Sequence, residues 1–299
     1  MNLSAMKSYL LIGSASILWG TMGILAKFAF GEGIEPLVLI ALRLLVSSAT
    51  LGVVLGLFNR KAFRIQRVDV PWFLGFGAFA IAFQRVSYFY SVDLTTPTVA
   101  AILFFTYPIF VTLFSIVFLS EKASIGTLLA AVLTLLGAAL VVRVYDLGSL
   151  RASFSGIVFG LGSSLLFVVY VLMTKKLRRT YSHYTSTFFG EVLGAILMSP
   201  IILLSAPDLN GYSLNLWILI ISIAWGPSLL AYLLYSYAMK QCDVVKGSII
   251  GVVEPIAATL FSAFLWMEEL ELLQVVGIIV ALTGVVIVIS RRTTRAHLP

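Results

Sequence analysis

Apolar residues run through this chain in long blocks, separated by short stretches in which Lys, Arg, Gly, Pro, Ser and Asn gather. About 20 apolar residues is the length an α-helix needs to cross the hydrocarbon of a bilayer. The blocks predict spans near residues 8–29, 36–58, 70–91, 98–119, 125–142, 155–175, 184–205, 214–238, 246–266 and 271–290. The expectation is an all-α integral membrane protein with ten transmembrane helices, short loops and no separate soluble domain. Composition agrees, with 60% of residues hydrophobic and only 11% charged. The first span has no small-residue cleavage site, so it reads as a retained helix rather than a signal peptide.

Charge orients the helices. With the N-terminus inside, 15 of the 20 basic residues fall in inner segments and only Arg143 and Arg151 in outer loops, while Lys27, Arg43 and Arg85 lie within spans. That asymmetry predicts cytoplasmic termini, and the expected location is the plasma (inner) membrane, as a multi-pass protein. The net charge of +7 then reflects topology and lipid headgroup contacts rather than nucleic-acid binding. The single cysteine, Cys242, excludes an intramolecular disulfide and a cysteine metal cluster.

The chain also resembles itself. Residues 104–119, FFTYPIFVTLFSIVFL, and 251–266, GVVEPIAATLFSAFLW, align without a gap at an offset of 147, which pairs Pro108 with Pro255 and Thr112-Leu113-Phe114-Ser115 with Thr259-Leu260-Phe261-Ser262. The same offset pairs Tyr88 with Tyr235, Tyr90 with Tyr237, Glu121 with Glu268 and Gly137 with Gly284. This predicts two five-helix units, residues 1–148 and 149–299, and because five is odd the second must enter the membrane inverted. Inverted repeats characterise alternating-access transporters, whose substrate sites sit where the halves meet. Pro108 and Pro255 then become matched candidate hinges, each freeing a carbonyl one turn earlier, Phe104 and Gly251.

The stretches ILWGTMGILAK (17–27), PLVLIALRLL (36–45), TYPIFVTLFSIVFLSEK (106–122) and VVEPIAATLFSAFLWMEEL (252–270) resemble the drug/metabolite transporter superfamily, specifically its ten-helix EamA-type exporters. The resemblance covers essentially the whole chain. One departure is that Ser120 and Met267 stand where the family usually has glycine before the acidic residue closing helices 4 and 9. The resemblance implies export of small metabolites, amino acids among them, through a central cavity between the halves.

Helical spacing shows which faces build that cavity. Helix 1 carries a stripe of Gly13, Ser16, Gly20, Gly23 and Lys27; helix 9 repeats the device with Gly247, Gly251, Glu254, Ala258 and Ser262. Helix 6 aligns Gly156, Gly160, Ser163, Phe167, Tyr170 and Thr174; helix 3 aligns Gly77, Gln84 and Tyr88; helix 8 aligns Trp225, Ser228 and Tyr232. The candidate substrate contacts are Trp19, Tyr88, Phe104, Tyr107, Tyr170, Trp225 and Tyr232, whose rings can stack on a side chain while the N–H or O–H of the Trp and Tyr residues holds a polar group, together with Gln84 on the cavity face of helix 3. Tyr9, Trp72, Tyr212, Trp217 and Trp266 read as interfacial rings near span ends.

Five ionisable residues fall within spans: Lys27, Arg43, Arg85, Glu191 and Glu254, and they are the candidate charged or gating groups. By helical rise Arg43 lies roughly 10 Å below the outer surface and Glu254 roughly 18 Å, so the long arginine is the expected partner of that carboxylate if the two helices adjoin. Glu254 is read either as half of that structural pair or as a protonatable coupling group.

The favoured function is an alternating-access exporter of neutral or aromatic amino acids. The alternative is export of another small organic solute, a nucleobase or drug-like compound, by proton antiport. A membrane-embedded lipid enzyme ranks last. The five aspartates sit in predicted loops, His183 and His297 are isolated, and no nucleophile-base pair, metal-ligand spacing or nucleotide-binding loop appears. No cofactor or metal is expected; the expected partners are a small-molecule substrate and the bilayer, and the sequence does not set the oligomeric state.

Overall fold

A computed structural model of the protein describes residues 3–119, 125–146, 153–267 and 269–290. Of the residues singled out above, Ser120, Glu121, Lys122, Arg151, Glu268, His297 and the basic residues at 291–295 lie outside that set, as does the Trp266 side chain.

Helices follow the apolar blocks. The helix α1 spans Leu3–Gly31, and α2 spans Pro36–Phe58 with its proline in the first turn, where a missing N–H costs nothing. The helical run α3 consists of Val70–Gly75, a π-helical stretch Phe76–Phe83 and Gln84–Leu94. Two half-helices, Pro97–Phe104 and Tyr107–Leu119, form α4. After α5 (Ile125–Val141) come α6 (Phe154–Thr180) and α7 (His183–Ser205). The run α8 consists of Leu214–Ile223, a second π-helical stretch Ala224–Leu230 and Ala231–Met239. Half-helices Val244–Ile250 and Val253–Trp266 form α9, and α10 is Leu272–Ser290.

Polar residues just before several helices start them. The side chains of Thr96, Ser153, Ser182, Ser213 and Asp243 each accept a backbone N–H of the following first turn, satisfying donors that have no intrahelical partner. Among the described residues, eight helices are long and apolar enough to cross a membrane. The two not in that group are α3, whose later part carries Gln84, Arg85 and Asp93, and α5, which has 17 residues. The chain is thus an all-helical, multi-pass membrane protein.

The offset of 147 recurs in three dimensions. Shifting Pro36–Phe58 by it gives residues 183–205, the bounds of α7. Shifting the first π stretch gives residues 223–230, within one residue of the second. Packing follows the same rule: α2 lies on α7 and α5 on α10, while α3 on α6 is matched by α8 on α1, and α4 on α6 by α9 on α1. Small residues permit the tightest crossing. Gly137 faces Gly277 and Ala281, and its counterpart Gly284 faces Ala130 and Thr134, so that the backbones of α5 and α10 approach as in small-residue membrane interfaces.

Polar contacts tie the loops at opposite ends. At one end Glu32, just past α1, accepts Ser213 Oγ at 2.8 Å and Asn215 Nδ2 at 2.8 Å, and these bonds hold its exposed carboxyl below the usual range. At the other, Tyr181 donates its hydroxyl to Asp69 and accepts the backbone N–H of Gln66 at 3.1 Å.

Candidate functional site

Both halves send rings into one cluster. Trp19 of α1 lies 5.2 Å from Tyr232, 5.3 Å from Tyr235 and 6.1 Å from Phe167, centroid to centroid. Phe104 contacts Tyr88, Tyr107 and Phe167, and Tyr107 meets Phe167 at 4.7 Å. Tyr170 stacks on Phe167 and Phe76 and meets Tyr232 edge-on. Edge-to-face and tilted pairs at these separations are favourable beyond their area burial. Two polar tips in the cluster, Trp19 Nε1 and the Tyr235 hydroxyl, are buried without a hydrogen-bond partner.

A charged cluster adjoins the rings. Arg85, 5% exposed, places its guanidinium 5.0 Å from the centre of the Tyr232 ring, donates from Nη1 to the carbonyl of Ile81 and lies 3.5 Å from Glu191 through Nη2. Glu191, 1% exposed, accepts Ser47 Oγ at 2.7 Å. Arg43 donates from Nη1 to Met22 Sδ at 3.1 Å and to Ser228 Oγ at 3.3 Å. Tyr232 lies within electrostatic reach of Arg85, Arg43, Glu191 and Glu254. Beside Glu191 lies a hydroxyl-rich space lined by Tyr170, Thr174, Ser186, Thr187, Tyr232 and Ser236, with room for little more than a water molecule, so these side chains must part to admit a solute.

Trp19, Tyr88, Phe104, Tyr107, Tyr170 and Tyr232 therefore come together, with Gln84 buried on the adjoining turn of α3. Trp225 does not. It is 53% exposed on the outside of the bundle and donates its indole N–H to Thr50 Oγ1. The cause is the π turn Ala224–Leu230, whose wider spacing rotates Trp225 off the face that Ser228 and Tyr232 keep. Lys27, at the far end of the α1 stripe, is also exposed. Tyr9, expected at an interface, is 6% exposed.

The expected pairing of Glu254 with Arg43 is replaced by another. Among the described residues the ion pairs are Arg85–Glu191 and Arg143–Glu271. The helix α9 packs on α1, whereas α2, which carries Arg43, packs on α7 and α8, so the two helices do not adjoin. Arg85 reaches Glu191 because side chains lean toward the helix N-terminus, here far enough for its own Nη1 to meet a carbonyl one turn back.

The prolines lie just beyond helix breaks rather than in mid-helix. Pro108 is the second residue of the half-helix Tyr107–Leu119, and Pro255 the third of Val253–Trp266. Gly251 O is not left free, since it accepts the N–H of Glu254 at 3.0 Å across the turn. Glu254 thus stands half-buried in the first turn of a half-helix, where the N-terminal dipole favours a carboxylate. Across the interface Tyr107 donates its hydroxyl to Ser248 O at 3.0 Å. Sequence reading missed Ser47 as a site residue, although it follows Arg43 by one helical turn, and Tyr235, although it is the repeat partner of Tyr88.

Comparison with known proteins places this arrangement. A crystal structure superposes with a TM-score of 0.79 at 18% identity, covering 94% of this chain and 96% of its own, which establishes a shared fold. An uncharacterized transporter of Archaeoglobus fulgidus is 29% identical over 67% of this chain and 70% of its own length. Uncharacterized transporters of Clostridium kluyveri (23% identity; 94% and 92% coverage) and Bacillus subtilis (25%; 94% and 89%) align almost end to end. The model of the EamA-like transporter family matches twice, at residues 6–143 and 154–290. Helices, relatives and family model agree: the chain belongs to the EamA-like transporter family of the drug/metabolite transporter superfamily and is a membrane transporter, not an enzyme.

Proposed function

We propose that this transporter exports small neutral metabolites from the cytoplasm by alternating access, with aromatic amino acids as preferred substrates. The observation that carries this reading is the ring cluster, to which α1, α3 and α4 of one half and α6 and α8 of the other contribute. Such rings accept an aromatic side chain, while the neighbouring charges accommodate the polar end of a zwitterion. In this proposal residues 1–148 and 149–299 are inverted five-helix repeats and all ten helices span the plasma (inner) membrane. Both termini are cytoplasmic, and the breaks beside Pro108 and Pro255 act as hinges. The matched element bounds and the twofold family match support the repeat, and the basic loops support the orientation.

Counterflow into liposomes loaded with a panel of amino acids, nucleobases and sugar phosphates tests the substrate class. Phenylalanine, tyrosine and tryptophan should exchange faster than threonine, and Trp19→Ala should slow phenylalanine more than threonine. Trp225→Ala, on the outer surface, should change neither. Exchange of nucleobases but not amino acids would overturn the assignment.

A further inference from the structure

The charged cluster is unbalanced. Two guanidinium groups, Arg43 at 7% and Arg85 at 5% exposure, are buried within electrostatic reach of one another, and Glu191 is the one carboxylate within ion-pair distance of either among the described residues. A buried charge without full compensation is costly, so such a cluster is built to receive a countercharge.

The hydrogen bonds show where it fits. On Arg85, Nη1 is committed to Ile81 O, but Nε and Nη2 have no hydrogen-bond partner. Those two nitrogens form one edge of the guanidinium plane, the fork that grips a carboxylate with two parallel bonds. Glu191 stands before that fork without filling it. Its Oε1 is 3.5 Å from Nη2 and lacks a hydrogen-bond partner, because Ser47 holds the carboxylate by Oε2. Arg43 Nε is likewise buried and unpartnered. Four charged-group atoms thus remain unsatisfied beside the Tyr232 ring and the hydroxyl-rich space.

We propose that Arg85, assisted by Arg43, is the subsite for the carboxylate of the transported solute, and that Glu191 is a resident competitor covering the fork until that carboxylate displaces it. This rests on the ring cluster being the substrate path and adds to it an anionic group on the substrate and a specificity-determining role for Glu191. No bond is made or broken; one ion pair exchanges for another, and Ser47 keeps hold of the displaced carboxylate.

Equilibrium binding to the purified full-length chain, with phenylacetate and 2-phenylethanol as probes, tests this. The two differ in the carboxylate and share the ring. Wild type should prefer phenylacetate. Glu191→Gln, which keeps the shape and the Ser47 bond but removes the competing charge, should bind phenylacetate about tenfold more tightly and leave 2-phenylethanol unchanged. Arg85→Lys, which keeps the charge but loses the fork, should abolish the preference. If Glu191→Gln is not recovered folded, Glu191→Asp should give a smaller gain in the same direction. Equal binding of both probes, or weaker phenylacetate binding in the Glu191 variants, would overturn the subsite. Preference for phenylacetate without amino-acid counterflow would leave the subsite standing and overturn only the substrate assignment. Normal phenylalanine counterflow in Arg85→Lys would do the opposite.

Discussion

At the break in α4 the chain reads Phe104-Phe105-Thr106-Tyr107-Pro108, and at the equivalent break in α9 it reads Gly251-Val252-Val253-Glu254-Pro255. The backbone solves both alike, with two half-helices joined by a short turn and a proline at the start of the second. The surroundings differ. The first break is packed by rings, with Phe167 of α6 against both Phe104 and Tyr107. At the second break the position equivalent to Phe167 is Gly20, whose Cα leaves only 2.9 Å between an added Cβ and Glu254 O, Ala257 Cβ or Ala258 N. At the first break rings fill the gap to the facing helix; at the second the facing helix comes backbone to backbone at Gly20, and Tyr107 reaches across to Ser248 O. Matched backbone breaks are thus filled in different ways.

Gly20→Val tests this most severely. The new side chain would meet backbone atoms that cannot rotate away, so stability should fall by about 3 kcal/mol in thermal or denaturant unfolding. Phe167→Leu, at the ring-packed break, should cost less, since side chains there can repack; equal losses would erase the distinction.

Gly251→Ala should cost about 2 kcal/mol, because its Cβ would collide with the Tyr107 hydroxyl. Tyr107→Phe alone loses the bond to Ser248 O, at about 1 kcal/mol. Combined, the two should cost less than their sum, since the colliding oxygen is gone. Strict additivity in the double-mutant cycle would show that the breaks do not touch through this residue.

Glu254→Gln should fold and lose about 1 kcal/mol, the worth of a carboxylate at a helix N-terminus. In combination with Arg43→Gln the effects should add, and a coupling above about 0.5 kcal/mol would restore the ion pair that the helix packing excludes. In liposomes, exchange that persists but no longer responds to a pH gradient would assign proton coupling to Glu254.

Met267 ends α9 in the left-handed conformation, φ 52°, which glycine adopts without the Cβ penalty. Met267→Gly should therefore stabilise the chain by about 1 kcal/mol, and a loss would mean that the 86%-exposed methionine makes a contact worth more than the strain.

The smallest effect concerns Cys242, in the turn leading into α9. Burial, followed by the charge of Asp243, pushes its thiol up to about 12. The folded value lies above that of a free thiol, so thiolate is scarce at neutral pH and maleimide labelling of native protein should be slow, rising with pH. Labelling at the rate of an exposed thiol would show that this turn opens readily.

Much of the fold was legible because bilayer helices need long apolar blocks, and the blocks at 36–58 and 184–205 match α2 and α7 almost to the residue. The ring cluster was legible through helical spacing, and fails at Trp225 for a definite reason. A π turn leaves no distinct mark in residue type, yet it changes the angular position of every side chain before it. Depth along a helix also misled, since it matched Arg43 to Glu254 and gave no sign that the Arg85 side chain, leaning back one turn, meets Glu191. The partner of Arg43 depended on which helices adjoin, a tertiary fact that spacing within single helices does not contain.

The two π stretches, Phe76–Phe83 and Ala224–Leu230, share no sequence motif, FGAFAIAF against AWGPSLL, yet occupy equivalent positions. Independent acquisition of so uncommon a turn at matched points would be a coincidence. If the halves descend from one five-helix ancestor, the wide turn belonged to that ancestor, and it has outlasted the residues that first formed it. A lineage of such proteins is then better traced by where its helices widen than by which amino acids line them.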